Sequence, residues 1–351
     1  MRNIKIKSSI KDYEVIFIKN LNNLTNELVK KYRCHFLIDK NIWNLYKDNL
    51  KLGVSLAKSV NYFEAVEKNK TLNEVNKYVY FLLDNGIQKQ DKVVVIGGGL
   101  VQDIGSFTSH IIKRGIDWVF VPTTLLSMVD SCIGAKSGIN IGGFKNQVGS
   151  FHPPIEIYIN ISFLNTLSEV DSINGIGEII KHALIKGGVF YSDLEKNSKV
   201  TEDVVYKSLL IKKEIVEKDE LEKNIRKLLN YGHTFGHALE GYTKNKIPHG
   251  LAVLMGIDLA NFISMKRGIL LKDEFLRIHL FIKKFISFKT FPVDNIDLYM
   301  KFLKTDKKVI GDEVDAILCE GIGKISVVRL KFNKEFKKDI EDYLVYFNNK
   351  E

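Results

Sequence analysis

The chain has 351 residues, 45% hydrophobic and 27% charged, with 5 Pro, 25 Gly and 3 Cys, and a net charge of +10 from 52 Lys and Arg against 42 Asp and Glu. This composition excludes disordered and collagen-like chains, and the length suggests two domains that each bury a core. Met1–Lys7 carries no apolar signal segment and no apolar run approaches the roughly 18 residues that span a bilayer, so a soluble, cytoplasmic protein with no membrane partner is expected.

In chain order, residues 13–18, 34–39, 92–96, 118–121 and 155–159 are short apolar runs that read as strands. Between them, residues 21–32, 42–51 and 72–85 carry helical spacing, and another helical pattern begins near Val101. Strands alternating with helices predict a parallel α/β sheet of Rossmann type. Beyond Phe163 long helical patterns take over, with only Pro248 and Pro292 to interrupt them and one weak strand candidate at Lys324–Val328. The expected architecture is an α/β domain over residues 1–161 followed by an all-α domain over 162–351.

Cys34, Cys132 and Cys319 are odd in number and far apart, which fits free thiols rather than a disulfide framework. The lysines are scattered among acidic residues instead of forming one basic block, so no nucleic-acid partner is expected; a solvated surface or a small anionic substrate accounts for the charge.

Gly97-Gly98-Gly99 follows the strand at 93–96 and precedes a helix, the context in which backbone amides receive a phosphate, although the spacing is not Gly-x-Gly-x-x-Gly and a plain tight turn gives the same triplet. Asp103 lies one helical turn further on. His233 and His237 are four apart, on one face of any helix that begins there, and Pro248-His249-Gly250 follows. Upstream, Glu178 and Lys181 stand at i and i+3 inside an apolar stretch, where charges need partners. Two imidazoles and a carboxylate form a catalytic zinc set with open positions. The alternative is histidines that cap or pack a helix and a Glu178–Lys181 pair. Four of the eight histidines lie within residues 182–249, which raises the metal reading to equal footing with the packing one and leaves both open. Asp130–Asn140 and Lys145–Gly149 read as glycine-spaced loops offering Lys and amides to an anion, with Arg114 and Arg226 adding guanidinium forks.

Taken as an ordered set, Glu67–Thr71, Gly97-Gly98-Gly99 with Asp103, Arg114-Gly115, Val121–Leu126, Asp130 through Asn140, Lys145-Asn146, Gly177–Lys181, Arg226 with Leu229–His237, His249-Gly250 and Asp306-Lys307-Lys308 resemble the 3-dehydroquinate synthase family of sugar-phosphate cyclases over nearly the whole length. The resemblance implies a divalent metal, zinc or cobalt, on Glu178, His233 and His249. It also implies NAD lined by Asp39, Glu67, Lys70, Gly98, Gly99, Asp103, Thr123, Thr124 and Lys145. Substrate contacts would come from Asp130, Lys136, Asn146, Lys212, Arg226, Asn230 and His237, with Arg114 reaching a neighbouring subunit's site in a homodimer. Lys181, Glu222 and His237 would be the catalytic groups. The implied substrate is a small phosphorylated sugar acid, 3-deoxy-arabino-heptulosonate 7-phosphate. Two departures stand out: Leu251 occupies a position where the family usually has Glu, and Gln102 one where it usually has Gly. Other cyclases of the superfamily use different sugar phosphates, and a metal- and NAD-dependent alcohol dehydrogenase is a more distant alternative. Arg226 and Asn230 agree with the dehydroquinate-forming pattern.

Overall fold

The computed structural model describes residues 2–142, 144–305 and 309–349, so Asp306-Lys307-Lys308 lies outside the described residues. Contacts divide the chain into two units, Met1–Ser168 with Lys213–Leu221, and Glu169–Lys212 with Glu222–Glu351. A single break between 161 and 162 does not contain this return of Lys213–Leu221 to the first unit. Glu220 anchors the return by accepting hydrogen bonds from Ser8 Oγ at 2.6 Å and from Ser9 N and Oγ at 2.7 Å.

The first unit carries β1 (Asn3–Ile6), β2 (Tyr13–Phe17), α1 (Leu24–Lys31), β3 (Cys34–Asp39), α2 (Lys40–Val54), β4 (Ser59–Phe63), α3 (Leu72–Asp84), β5 (Lys92–Gly97), α4 (Gly99–Ile111), β6 (Trp118–Pro122), β7 (Lys136–Ile141), β8 (Phe144–Phe151) and β9 (Glu156–Ile159). Seven strands form one sheet in the order β1-β2-β9-β6-β5-β3-β4, parallel except for the β1–β2 hairpin at its edge. β3, β5 and β6 are apolar nearly throughout because both of their faces are buried, whereas β1 alternates exposed Asn3 and Lys5 with buried Ile4 and Ile6. The five strands and four helices expected here all form.

Residues 130–140 and 145–149, expected as loops, instead contribute to the two-stranded antiparallel hairpin β7–β8. Most of its side chains are exposed or half-buried, so it lacks the apolar alternation by which a strand is read from sequence.

The second unit is built from α5 (Glu169–Lys186), α6 (Gly188–Lys196), most of α7 (Glu202–Val216), α8 (His233–Tyr242), α9 (His249–Lys266), α10 (Lys272–Lys283), α11 (Ile296–Lys304), β10 (Val309–Ile310), β11 (Glu313–Gly321), β12 (Lys324–Lys331) and α12 (Lys334–Asn349). It is helix-dominated as expected, and the all-α expectation is amended by a three-stranded antiparallel sheet, β10-β11-β12. β12 contains the strand candidate Lys324–Val328. β11 escapes a sequence reading because its apolar run, Ala316–Cys319, is too short to separate strand from buried helix.

α9 is buried on every side from Gly250 to Ser264, as befits a helix at the centre of a bundle, and α5, α8, α10 and α12 pack around it. Each buried Leu or Ile on it contributes about 1.5–3 kcal/mol. Asp258, the one carboxylate within that stretch, is compensated by His279 Nδ1 at 2.9 Å and the Tyr343 hydroxyl at 2.8 Å. All three cysteines are free and buried.

Candidate functional site

In the second unit, Glu178 sits in the middle of α5, while His233 and His249 are the first residues of α8 and α9. Glycines bring these helices together. A Cβ on Gly177 would fall 2.4 Å from Gly250 O, and one on Gly250 would fall 2.2 Å from Ile173 O and 2.5 Å from Asn174 Cα. α5 and α9 therefore touch backbone to backbone beside Glu178 and His249, and Gly250 N donates to Asn174 Oδ1 at 3.0 Å. α8 meets α9 in the same way, with a Cβ on Gly256 falling 2.1 Å from Gly232 O.

The consequence is a compact donor set. His233 Nε2 lies 3.4 Å and His249 Nε2 3.3 Å from Glu178 Oε1, and one ligand atom from each of the three residues falls within 4.8 Å of the others. Metal–ligand bonds of about 2.1 Å at tetrahedral angles separate neighbouring ligand atoms by about 3.4 Å, so the spacing fits a single divalent ion with room for substrate oxygens. The outward nitrogens are also held: His233 Nδ1 is 3.2 Å from Tyr231 O, and His249 Nδ1 is 3.3 Å from Glu240 Oε1.

Burial alone would raise the Glu178 carboxyl, but the Lys181 ammonium and His233 hold it well below the usual carboxylate range. Burial pushes His233 down to about 4, with Lys181 adding to the effect, so its imidazole is neutral near pH 7. His249 goes the other way: burial would lower it, yet hydrogen bonds to Glu178 and Glu240 push it up to about 10. An incoming metal must displace that proton.

The remaining candidates of this unit surround the same helices. Lys181 is buried and forms an ion pair with Glu178, which coexists with the Glu178–histidine contacts. Lys212 and Arg226 are likewise buried cations, and such groups require anionic or hydrogen-bonding partners. Asn230 Nδ2 donates to Glu222 Oε1 at 2.8 Å, with Glu222 in a left-handed conformation at φ 59°. α8 begins at His233, so His237 shares its face; the exposed His237 ring lies 5.2 Å from that of His233 and 6.1 Å from that of His249.

In the first unit the glycine turn joins β5 to α4, whose N-terminus is capped by no side chain among the described residues and so offers amides to an anion. A Cβ on Gly98 would fall 2.8 Å from Thr124 Cγ2, while one on Gly99 would come no nearer than 4.0 Å to Ser131 Oγ, leaving that face uncrowded. Thr123 Oγ1, at the carboxyl end of β6, is buried without a hydrogen-bond partner among the described residues. An orphaned hydroxyl beside an open helix start fits a dinucleotide. The Thr124 hydroxyl is engaged with Ser127 Oγ at 2.9 Å.

Lys70 forms the hub of this region. Its position is set by Thr71, which caps α3 by accepting from Glu74 N at 3.4 Å. Lys70 Nζ reaches Asp103 Oδ2 on α4 at 3.1 Å and Asn146 Oδ1 on β8 at 2.6 Å, with Glu67 Oε1 at 3.9 Å. Asp103 Oδ1 accepts from Gly138 N on β7 at 2.9 Å, and Asn140 Nδ2 donates to Glu67 Oε1 at 2.8 Å. Burial pushes Asp103 up to about 6 despite Lys70 and the Gly138 amide. Asp39 ends β3 and caps α2 through Asn41 N at 2.8 Å. Lys136 and Lys145 are exposed on the hairpin, Asp130 lies in a π-turn over Ser127–Ser131, and Arg114 is exposed in a left-handed turn at φ 57°.

Sequence reading passed over Glu240, Asn174 and Asn140 as individual groups. Glu240 stands at i+3 from His237, a spacing that could have marked it. Gln102, one of the departures, is buried and exchanges two hydrogen bonds of 2.7 Å with Ser131, so at this position the side chain braces the turn that carries Asp130.

Comparison with known proteins matches residues 60–174 to the 3-dehydroquinate synthase N-terminal family and residues 175–309 to the 3-dehydroquinate synthase C-terminal family. The 3-dehydroquinate synthase of Pelagibacter ubique is 37% identical over 95% of this chain and 95% of its own length. A 2-epi-5-epi-valiolone synthase from Streptomyces hygroscopicus, solved with NAD+ and Zn2+ bound, superposes with a TM-score of 0.84 at 25% identity, covering 97% of this chain and 98% of the other. A 2-deoxy-scyllo-inosose synthase, solved with carbaglucose-6-phosphate, NAD+ and Co2+, shares the fold with a TM-score of 0.83 at 21% identity, covering 98% and 99%.

Proposed function

The chain belongs to the 3-dehydroquinate synthase family, and from that premise we propose that it converts 3-deoxy-arabino-heptulosonate 7-phosphate to 3-dehydroquinate and phosphate, a carbon–oxygen lyase reaction of the shikimate route to aromatic amino acids. When bound, NAD supplies reversible hydride transfer at C5 of the substrate and a divalent metal, zinc or cobalt, polarises the developing ketone. Glu178, His233 and His249 would hold the metal. Asp39, Glu67, Lys70, Gly98, Gly99, Asp103, Thr123, Thr124 and Lys145 would hold NAD, whose pyrophosphate suits the open start of α4.

The substrate is a dianion or more, and this chain's own residues match its two ends. Arg226 and Lys212 bind the carboxylate, since a planar guanidinium pairs with it bidentately, while Lys136, Asn146, Asn230 and His237 bind the departing tetrahedral phosphate. Asp130 and Lys181 orient the hydroxyls. His237 moves the proton from C6, a role suited to an accessible imidazole, and Glu222 fixes the Asn230 amide. Because the hydride returns to the substrate within one cycle, no net NADH forms. We further infer a cytoplasmic homodimer in which Arg114 completes the neighbouring subunit's site.

The observation that carries this reading is the meeting of Glu178, His233 and His249 at metal-ligand spacing in a chain of this family. Phosphate release from several purified heptulose phosphates tests it. Release only from the carboxylated sugar, with flat absorbance at the reduced-cofactor wavelength, is expected. Preference for an uncarboxylated sugar phosphate would move the protein to the other cyclases, and NADH growing in step with product would make it a dehydrogenase.

A further inference from the structure

The two imidazoles that face Glu178 differ in what stands behind them. His233 Nδ1 faces a neutral acceptor, Tyr231 O at 3.2 Å, whereas His249 Nδ1 faces a carboxylate, Glu240 Oε1 at 3.3 Å. Both contacts orient Nε2, the nitrogen nearer Glu178, by placing the ring proton on the far side. A carboxylate does more than a carbonyl: it makes the imidazole a stronger donor and its charge remains close to the ion. Glu240 is half-buried on α8, seven residues beyond His233 and therefore on the same face of that helix, and the first turn of α9 supplies no acidic side chain, its second and third residues being Gly250 and Leu251.

We infer that Glu240 is the positioning residue of the metal centre, orienting His249 and strengthening its Nε2 as a ligand without touching the ion itself. The inference rests on the metal reading given above. His249 and Glu240 close one end of the α8–α9 contact, whose other end is Gly256 against Gly232, so the carboxylate also ties the order of His249 to that of α8. Removing it leaves the His249 ring free to rotate while the other two ligands stay in place.

Competitive chelator titration of Co2+ or Zn2+ on purified full-length protein, together with the visible spectrum of the Co2+ form, tests this. Glu240→Ala should weaken metal binding by about 10- to 100-fold and change the Co2+ spectrum, while Glu240→Gln, whose amide oxygen still accepts from Nδ1, should recover part of the loss. Thermal unfolding of the metal-free proteins controls for folding: equal midpoints with unequal metal affinity support a positioning role. Unchanged affinity and spectrum in Glu240→Ala overturn the inference alone. So does a wild type that binds two ions and a Glu240→Ala variant that binds one, which would make His237, Glu240 and His249 ligands of a second ion. A wild type that binds no metal overturns the metal reading as well.

Discussion

Glu178, His233 and His249 stand on helices whose backbones touch, whereas Lys70, Asp103 and Asn146 belong to a turn, a helix and an exposed hairpin joined by side-chain hydrogen bonds. The helical site depends on volume: nothing larger than hydrogen fits between α5 and α9 at Gly177 and Gly250. The sheet-borne site depends on polarity, because its hub is a buried ammonium satisfied by groups from three segments, Glu67, Asp103 and Asn146. The two sites should therefore fail in different ways.

The largest effect should follow the loss of a ligand. In His249→Ala, elemental analysis should find no stoichiometric metal, and activity should fall by about 10^3-fold or more, since the several kcal/mol of charge stabilisation supplied by an ion correspond to that many decades. NAD binding, measured by calorimetry, should be retained. Full metal occupancy in this variant would sink the ligand assignment.

Next in size is the helix crossing. Gly250→Ala forces Cβ into the α5 backbone and should cost about 1–3 kcal/mol in urea unfolding, with metal content falling in parallel. Wild-type stability and full metal would mean that the crossing is not rigid, and the contrast between the two sites would disappear.

Lys70→Ala probes the polar site. Charge-assisted hydrogen bonds are worth about 1.5–3 kcal/mol each, so the apparent Kd for NAD should rise about tenfold or more while bound metal is unchanged. A parallel loss of metal would show the two sites to be one cooperative structure.

The smallest expected effect is a pH dependence. Burial pushes Asp103 up to about 6 in the folded protein, against about 3.9 when unfolded, so the folded state favours the protonated form. That contribution is complete below about pH 4 and is lost as pH rises through about 6. Asp103→Asn removes the charge, and its stability relative to wild type, in the absence of NAD, should therefore increase between pH 5 and pH 7.5. Because the Asp103 side chain is partly exposed, the gain should be on the order of 1 kcal/mol. A flat difference across that range would mean that the Lys70 pair, rather than burial, dominates the site.

Much of this was legible beforehand. The central strands could be read because burial on both faces makes them continuously apolar, and His233 and His237 could be placed on one helical face because their spacing of four does so in any helix starting at His233. The hairpin β7–β8 was not legible, since its strands are stabilised by pairing and by Lys70, Asp103 and Glu67 rather than by an apolar face. Glu240 was visible in the motif but not its purpose, because its partner lies nine residues away across a helix crossing.

By itself, then, the amino-acid sequence determined the alternation of buried strands and helices and the helix-rich second half, which are written in local periodicity, while the ligand set Glu178, His233 and His249 followed from the resemblance of its ordered motifs to the 3-dehydroquinate synthase family. Only the tertiary structure decided which carboxylate stands behind which imidazole, that Gly177 and Gly250 touch, that Lys213–Leu221 returns to the first unit, and that two apparent loops pair as strands. These are contacts between residues distant along the chain, and they follow from backbone approach and hydrogen-bond geometry, which periodicity does not encode.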